Sequence, residues 1–331
     1  MSPQFVDFDG DGDEDIVCGI YDGSPHVSYW DHEREGYLPP VGILDRSGDR
    51  IVMNAWWNFA EKKWDRTDRC DPEGGAPEEG HLTSAIAFDY DRDGDFDLVL
   101  GDHRGGYVYL RRNEGTDSAP KFATKNELVM AAGAPMRDAG TVATIRSVDW
   151  NSDGVLDLMV SGMGDPYGDG RGAGVAVYLN RTERGESDFG APNWLVTPST
   201  KNAAGAPERP DVGLYADAVD FDGDGDLDLI VGGYSVWDPR TRAPTAVEAA
   251  RADQLEARIA ELNARSSEIY RTAETAGEGL DEAAAKALID EVQPKLDELR
   301  IEKEPLQREL DRLRPRRQRA SFTWLYENLT K

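Results

Sequence analysis

The sequence predicts an all-β protein, a β-propeller of four-stranded blades with four blades recognisable and an antiparallel α-helical hairpin inserted in the last. Three observations predict it. A ten-residue acidic pattern occurs four times, short apolar and β-branched runs flank every copy, and one long stretch replaces that texture with Ala, Glu, Leu and Arg.

The acidic pattern comes first because it sets the frame. Its copies are DFDGDGDEDI from Asp7, DYDRDGDFDL from Asp89, DWNSDGVLDL from Asp149 and DFDGDGDLDL from Asp220. Oxygen-bearing side chains stand at positions 1, 3, 5 and 9, which are Asp7, Asp9, Asp11 and Asp15; Asp89, Asp91, Asp93 and Asp97; Asp149, Asn151, Asp153 and Asp157; Asp220, Asp222, Asp224 and Asp228. Glycine holds position 6 and an aromatic residue position 2. In an extended turn, residues 1, 3 and 5 point inward together, and the glycine lets the chain swing back so that position 9 closes the cage. Position 7 (Asp13, Asp95, Val155 and Asp226) is expected to supply its backbone carbonyl. Such an all-oxygen shell suits a hard cation, and Ca²⁺ accepts irregular six- to eight-fold geometry where Mg²⁺ does not. Without a cation the loop is costly, since two like charges about 4 Å apart repel by roughly 4 kcal/mol at an effective dielectric near 20. An EF-hand would need Glu at position 12, where Cys18, Leu100, Val160 and Val231 stand.

The flanks give each loop its context. Phe5-Val6, Ser84 to Phe88, Thr144 to Val148 and Tyr215 to Val219 precede the loops; Ile16 to Gly19, Leu98 to Gly101, Leu158 to Ser161 and Leu229 to Gly232 follow them. These are the compositions of buried strands bounded by glycine. Third strands are expected at 26–30, 107–110, 175–179 and 322–326, with outer strands near 122–130 and 194–197. Repeated four-stranded units joined by such loops make a radial array.

On these loops and flanks the chain resembles the FG-GAP or VCBS repeat family, which includes the calcium-binding blades of integrin α-subunit propellers and many exported bacterial proteins. The likeness spans nearly all of residues 1–235 and the closing strand at 321–331. It implies one Ca²⁺ per hairpin loop, up to four in all, and a propeller whose faces meet a protein or carbohydrate ligand in a periplasmic, cell-surface or secreted setting. The expected function is that of a non-catalytic interaction or adhesion module. The third loop departs from the pattern at Asn151 and Val155, so it carries less charge and should bind more weakly.

The domain plan follows: blades at 1–245, a helical insertion at 246–315, and a closing strand at 316–331. In the insertion Leu255, Ile259, Leu262, Ser266, Ile269, Ala273 and Ala276 step by four and three, the spacing of one apolar helical seam. Gly277-Glu278-Gly279 ends that helix. A second seam runs from Leu288 to Leu313, with Pro294 and Pro305 expected to kink or restart it. The hairpin's two seams can satisfy each other or dock a partner or second copy. Blade four stops at its third strand and residues 1–4 are too few to supply a fourth. The expectation is therefore that an N-terminal piece, with an export signal, precedes Met1.

Composition narrows the partners. With 64 acidic against 37 basic side chains the formal charge is −27, which repels nucleic-acid phosphates and anionic lipid surfaces. No apolar run is long enough to insert in a membrane. Cys18 and Cys70 are too few for a disulfide scaffold, and whether they pair is open. His26, His32, His81 and His103 form no metalloprotease spacing, and no nucleophile elbow or phosphate loop occurs. The alternative function is a lyase-like, carbohydrate-active propeller that uses Ca²⁺ to bind acidic polysaccharide. The aromatics Trp56, Trp57, Phe59 and Trp64, in the surplus of blade one, are either a sugar platform or a loop folded onto its own blade.

Overall fold

A computed structural model of the chain describes residues 3–66, 81–137, 140–164, 172–182, 185–199, 209–237, 239, 242–277, 281–316 and 318–328. The chain separates into two compact units, one of Met1–Asn202, Pro207–Val236 and Arg319–Lys331, the other of Ala203–Ala206 and Trp237–Gln318.

The first unit is built around four larger antiparallel sheets in chain order, with three two-stranded ones beside them among the described residues. Sheet one contains Gln4–Val6, Asp15–Gly19, Pro25–Ser28 and Val41–Gly42, side by side in that order. Sheet two contains Leu82–Phe88, Asp97–Asp102, Val108–Arg111 and Glu127–Leu128, and sheet three Thr144–Val148, Asp157–Ser161, Val175–Tyr178 and Asn193–Val196. Sheet four has three strands among the described residues: Val212–Val219, Asp228–Trp237 and Gln318–Tyr326. Every acidic loop joins the first two strands of its sheet.

The sheets pack through alternating faces, and the strand after each loop shows how. Val17 of sheet one lies in one apolar cluster with Leu98 and Leu100 of sheet two. Val99, pointing the other way, shares a cluster with Leu158 and Val160 of sheet three, and Met159 shares one with Leu229 and Val231 of sheet four. Sheets two and three are thus covered on both faces, so their second strands are buried throughout, whereas Asp15–Gly19 alternates between buried and half-buried residues. Each fully buried Val or Leu in these layers contributes about 1.5–3 kcal/mol. Glycine sets the spacing at two points. A Cβ on Gly19 would fall 2.7 Å from the Thr83 backbone, and one on Gly101 would fall 2.3 Å from the Ala143 carbonyl oxygen.

The strands follow the sequence pattern, but the radial closure does not appear. Among the described residues no closed barrel or ring is formed, and no apolar cluster joins sheet four to sheet one. The aromatics of blade one lie on an added two-stranded hairpin, Ala55–Asn58 with Lys63–Arg66. Cys18 is free, and Cys70 lies outside the described residues.

The second unit is a pair of helices, α1 at Ala246–Gly277 and α2 at Glu282–Leu313. A reciprocal cap starts α1: the Glu248 N–H donates to Thr245 Oγ1 at 3.2 Å, and the Thr245 N–H donates back to Glu248 Oε2 at 2.8 Å. Asp281 caps α2 by accepting from the Ala284 N–H at 2.9 Å. The predicted seam meets its partner at Leu255 and Ile259, which with Ala252 pack against Leu310, Leu306 and Leu313, and Leu262 is buried as well. Ion pairs Arg251–Glu309 and Arg314–Glu256 flank it. Pro294 and Pro305 lie inside α2 and do not restart it. Both are exposed, so the carbonyls that their missing N–H groups leave behind face water, and the helix runs through them. No helix among the described residues is long and apolar enough to cross a membrane.

Candidate metal centres

The four acidic loops fold alike because the backbone of each is tied to its own carboxylates. The N–H at position 6 donates to the carboxylate at position 1: Gly12 to Asp7 at 3.1 Å, Gly94 to Asp89 at 3.2 Å, Gly154 to Asp149 at 2.9 Å and Gly225 to Asp220 at 3.2 Å. The N–H at position 7 donates to position 5, as from Asp13 to Asp11 at 3.0 Å and from Val155 to Asp153 at 2.9 Å. Asp95 and Asp226 repeat this bond toward Asp93 and Asp224. The glycine at position 6 has φ between +84° and +100°, as the sharp turn demands. Position 4 is also left-handed, at Gly10 and Gly223 but equally at Arg92 (φ 61°) and Ser152 (φ 56°), where no glycine announces it.

These turns bring the side chains at positions 1, 3 and 5 together. One carboxylate oxygen from each of Asp7, Asp9 and Asp11 lies within 4.8 Å of the other two, and the same holds for Asp89, Asp91 and Asp93 and for Asp220, Asp222 and Asp224. Two oxygens sharing a Ca²⁺ ion at about 2.4 Å are separated by no more than about twice that length, so the triads have the right span. In the third loop Asn151 takes the middle place, and its Nδ2 donates to Asp153 at 2.8 Å.

A second observation fits the same group. Oδ1 of Asp7, Asp89, Asp91, Asp95 and Asp226 is shielded from water and accepts no hydrogen bond. A carboxylate oxygen withdrawn from water without a partner is expensive unless a cation takes its lone pairs. Burial, with the neighbouring charges of Asp93, Asp117, Asp91 and Asp89 added, pushes the Asp95 carboxyl up to about 6. Burial followed by the Asp11 and Asp7 charges raises Asp9. Asp117, on the turn after the third strand of sheet two, accepts from the Phe96 N–H at 2.6 Å and brings a further carboxylate to the second loop.

Position 9 has a second engagement. Asp15, Asp97, Asp157 and Asp228 are buried, and both oxygens of each accept backbone N–H groups. One bond returns to position 2 of the same loop: Phe8 at 3.2 Å, Tyr90 at 3.2 Å, Trp150 at 3.1 Å and Phe221 at 3.0 Å. The other reaches the end of the third strand: Trp30 at 2.9 Å, Asn113 at 2.6 Å, Asn180 at 2.7 Å and Asn328 at 2.8 Å. Position 9 therefore clasps loop to strand, and can ligate only through its remaining lone pairs. Burial lifts Asp97 to about 7 and Asp157 to about 6 despite these bonds.

The asparagines are functional partners that the sequence reading missed. Asn113 Oδ1 accepts from Gly115 at 3.0 Å and Lys121 at 2.8 Å, and Asn180 Oδ1 from Asp188 at 3.2 Å, so each also folds the turn after its strand. A shared Asn at a strand end was the available signal. Asn180, part of an Asn-Arg-Thr glycosylation pattern, is buried and bonded to Ser187, which makes it a structural residue.

His81 and His103 lie side by side. Their rings stack at 4.2 Å between centroids, Trp64 lies 4.5 Å from His81, and Trp57 and Tyr21 border Trp64 at 5.6 and 6.5 Å. His81 directly precedes the first strand of sheet two and His103 directly follows its second, and the His103 N–H donates to the His81 carbonyl at 2.8 Å. Burial, and then the charge of His103, lowers His81 to about 4; burial lowers His103. A base whose folded pKa lies below its unfolded 6.5 binds protons preferentially when unfolded, so its contribution to stability is lost as pH falls from 6.5 toward 4. Relative to His81→Gln, the wild type is expected to lose about 1–2 kcal/mol over that window, allowing for the half-exposed ring. Urea unfolding of both proteins at pH 7 and pH 4.5 reads the difference, in which the loop carboxylates cancel. Parallel pH profiles would remove the effect.

Residues 89–160, from the second acidic loop through the third, match the family model described as FG-GAP-like repeat. No curated protein matches the chain at a significant level. The matched segment begins at position 1 of one loop, crosses the remainder of sheet two, and ends on the strand that leaves the next loop, so it spans one whole period of the structure and the acidic loop that opens the next. Residues 89–160 are thus similar to an FG-GAP-like repeat.

Proposed function

We propose that the chain is a calcium-stabilised, non-catalytic interaction module of the integrin-like type, working outside the cytoplasm, with its four sheets as the blades of a propeller. One observation carries the reading: the same loop is built four times, and its inward carboxylate oxygens include several that are cut off from water and unbonded. Ca²⁺ would be held by Asp7, Asp9 and Asp11; by Asp89, Asp91 and Asp93; by Asp149, Asn151 and Asp153; and by Asp220, Asp222 and Asp224. The carbonyls of Asp13, Asp95, Val155 and Asp226 and free lone pairs of Asp15, Asp97, Asp157 and Asp228 would complete the shells. The ion supplies fixed positive charge: four of them would bring the formal charge from −27 to −19. The residues themselves orient the loops through the backbone bonds described above.

Calcium sites of extracellular modules bind at about 0.1–1 mM, far above cytosolic free calcium, which supports an exported setting. FG-GAP-like repeats are generally non-enzymatic, and a protein or carbohydrate ligand on a propeller face fits a chain in which every acidic cluster has a cation to hold. Calorimetry tests the reading. Titration with Ca²⁺ is expected to give up to four sites, and Asp93→Ala to remove one while leaving the others. Absence of binding at millimolar calcium would overturn it, and unsaturated-sugar absorbance from acidic polysaccharides would replace the module with a lyase.

A further inference from the structure

The second loop carries Asp89, Asp91, Asp93, Asp95 and Asp97, and Asp117 brings another carboxylate to it. One cation faces them. Arg112 Nη1 lies 3.6 Å from Asp91 Oδ2, while the other oxygen of Asp91 is shielded from water and accepts no hydrogen bond. Among the described residues no other arginine or lysine pairs with a triad carboxylate. The guanidinium is fixed from several sides. Its Nε donates to the two Glu127 oxygens at 3.0 and 3.2 Å, its Nη2 donates to Glu186 of sheet three, and its Cζ stands 5.6 Å from the centre of the Tyr90 ring. The Glu186 segment is itself pinned to the second loop, because the Tyr90 carbonyl accepts from the Ser187 N–H at 3.0 Å and from Ser187 Oγ at 2.8 Å. An isolated surface pair contributes little, whereas a planar fork held in this way keeps its charge in place. Arg112 also occupies a defined place in the repeat. It directly precedes Asn113, whose N–H closes the clasp on Asp97, as Tyr29, Leu179 and Glu327 precede Trp30, Asn180 and Asn328. None of those three is positive. Burial, followed by the Asp9 and Asp15 charges, raises the Tyr29 hydroxyl, in keeping with a place beside its loop.

We propose that Arg112 is a resident counter-charge of the second loop: it holds Asp91 by one oxygen, leaves the other free to ligate, and lowers the affinity of this loop for calcium. The inference rests on the calcium reading above and deepens it. Both effects come from one charge. A positive group beside Asp91 offsets repulsion among the carboxylates of the empty loop, and the same group repels a divalent ion that enters. The second loop therefore depends less on calcium for its shape than its aspartates alone would make it.

Calorimetric titration of the full chain with Ca²⁺ tests this. Arg112→Gln is expected to tighten one site about three- to tenfold and leave the others alone, the size of the screened repulsion between a guanidinium and a nearby divalent ion. A merely structural arginine predicts the opposite sign, a looser loop and weaker binding. Arg112→Lys, which keeps the charge, should stay within about twofold of the wild type. In the Asp93→Ala protein, whose second loop has lost a ligand, Arg112→Gln should change nothing. The converse substitution at the matching, exposed place, Glu327→Arg, should weaken the fourth loop by a similar factor, and it decides the matter if Arg112→Gln fails to fold. Unchanged or weaker binding in Arg112→Gln, equal gains for Gln and Lys, a gain that persists in Asp93→Ala, or an unaffected Glu327→Arg would each overturn the proposal and leave the calcium reading standing. A wild type that binds no calcium would remove both.

Discussion

Calcium at about 10 mM is expected to raise the melting temperature of the chelated protein by about 10–40 °C. Sites with dissociation constants of about 0.1–1 mM each add about 1.4–2.7 kcal/mol at that concentration, provided the unfolded chain does not compete. Four such sites give several kcal/mol, and a unit of this size gains about 2–4 °C for each. The origin is local. With no counter-charge, the triads at Asp7, Asp89 and Asp220 hold their carboxylates close together, and some of their oxygens have neither water nor a hydrogen bond. The third loop, with Asn151 in place of one carboxylate, should respond at the highest calcium concentration. Differential scanning calorimetry in EDTA and in calcium decides the matter, and coincident curves would sink the metal reading for all four loops.

The second large effect separates clasp from cage. Asp157→Ala should destabilise the protein by about 3–5 kcal/mol with or without calcium, because it strands the Trp150 and Asn180 N–H groups in a buried site and unpins the loop from the third strand. Asp93→Ala should behave oppositely: costly in calcium, where it removes a ligand, and close to neutral in EDTA, where it removes a repelling charge. Urea melts of both variants in each buffer make a four-way comparison. Equal losses for both variants in both buffers would show that positions 5 and 9 do the same job.

The loops and their strands were legible because their signals are local. Aspartates two residues apart, a glycine at a fixed offset and apolar flanks all fall within about a dozen residues, as at Asp89 to Gly101. The helical seam was legible for the same reason, through the stepping of Leu255, Ile259 and Leu262. What escaped depends on distance. The partner of Asp97 is Asn113, 16 residues on, that of Asp157 is Asn180, 23 on, and that of Asp228 is Asn328, 100 on. No fixed frame reveals a partner whose separation changes with every insertion. The left-handed turn at position 4 was hidden by Arg92 and Ser152, residues that rarely adopt it. The prolines of α2 do not restart the helix, because solvent on the outer face of a helix satisfies carbonyls that a buried helix would leave bare. Whether the sheets close into a ring depends on how their faces pack, and strand patterns alone are silent about it.

The clasp at Asp228 has a consequence for how this architecture can change. Strands Asp228–Trp237 and Gln318–Tyr326 are neighbours in one sheet, and Asn328 is tied back to the loop that begins that sheet. The entry and exit of everything between them are therefore fixed side by side. Lengthening a closed excursion costs only about 0.6 kcal/mol for each doubling. This is a permissive graft point, where a foreign domain with adjacent termini can replace the native segment and leave the blade around it undisturbed.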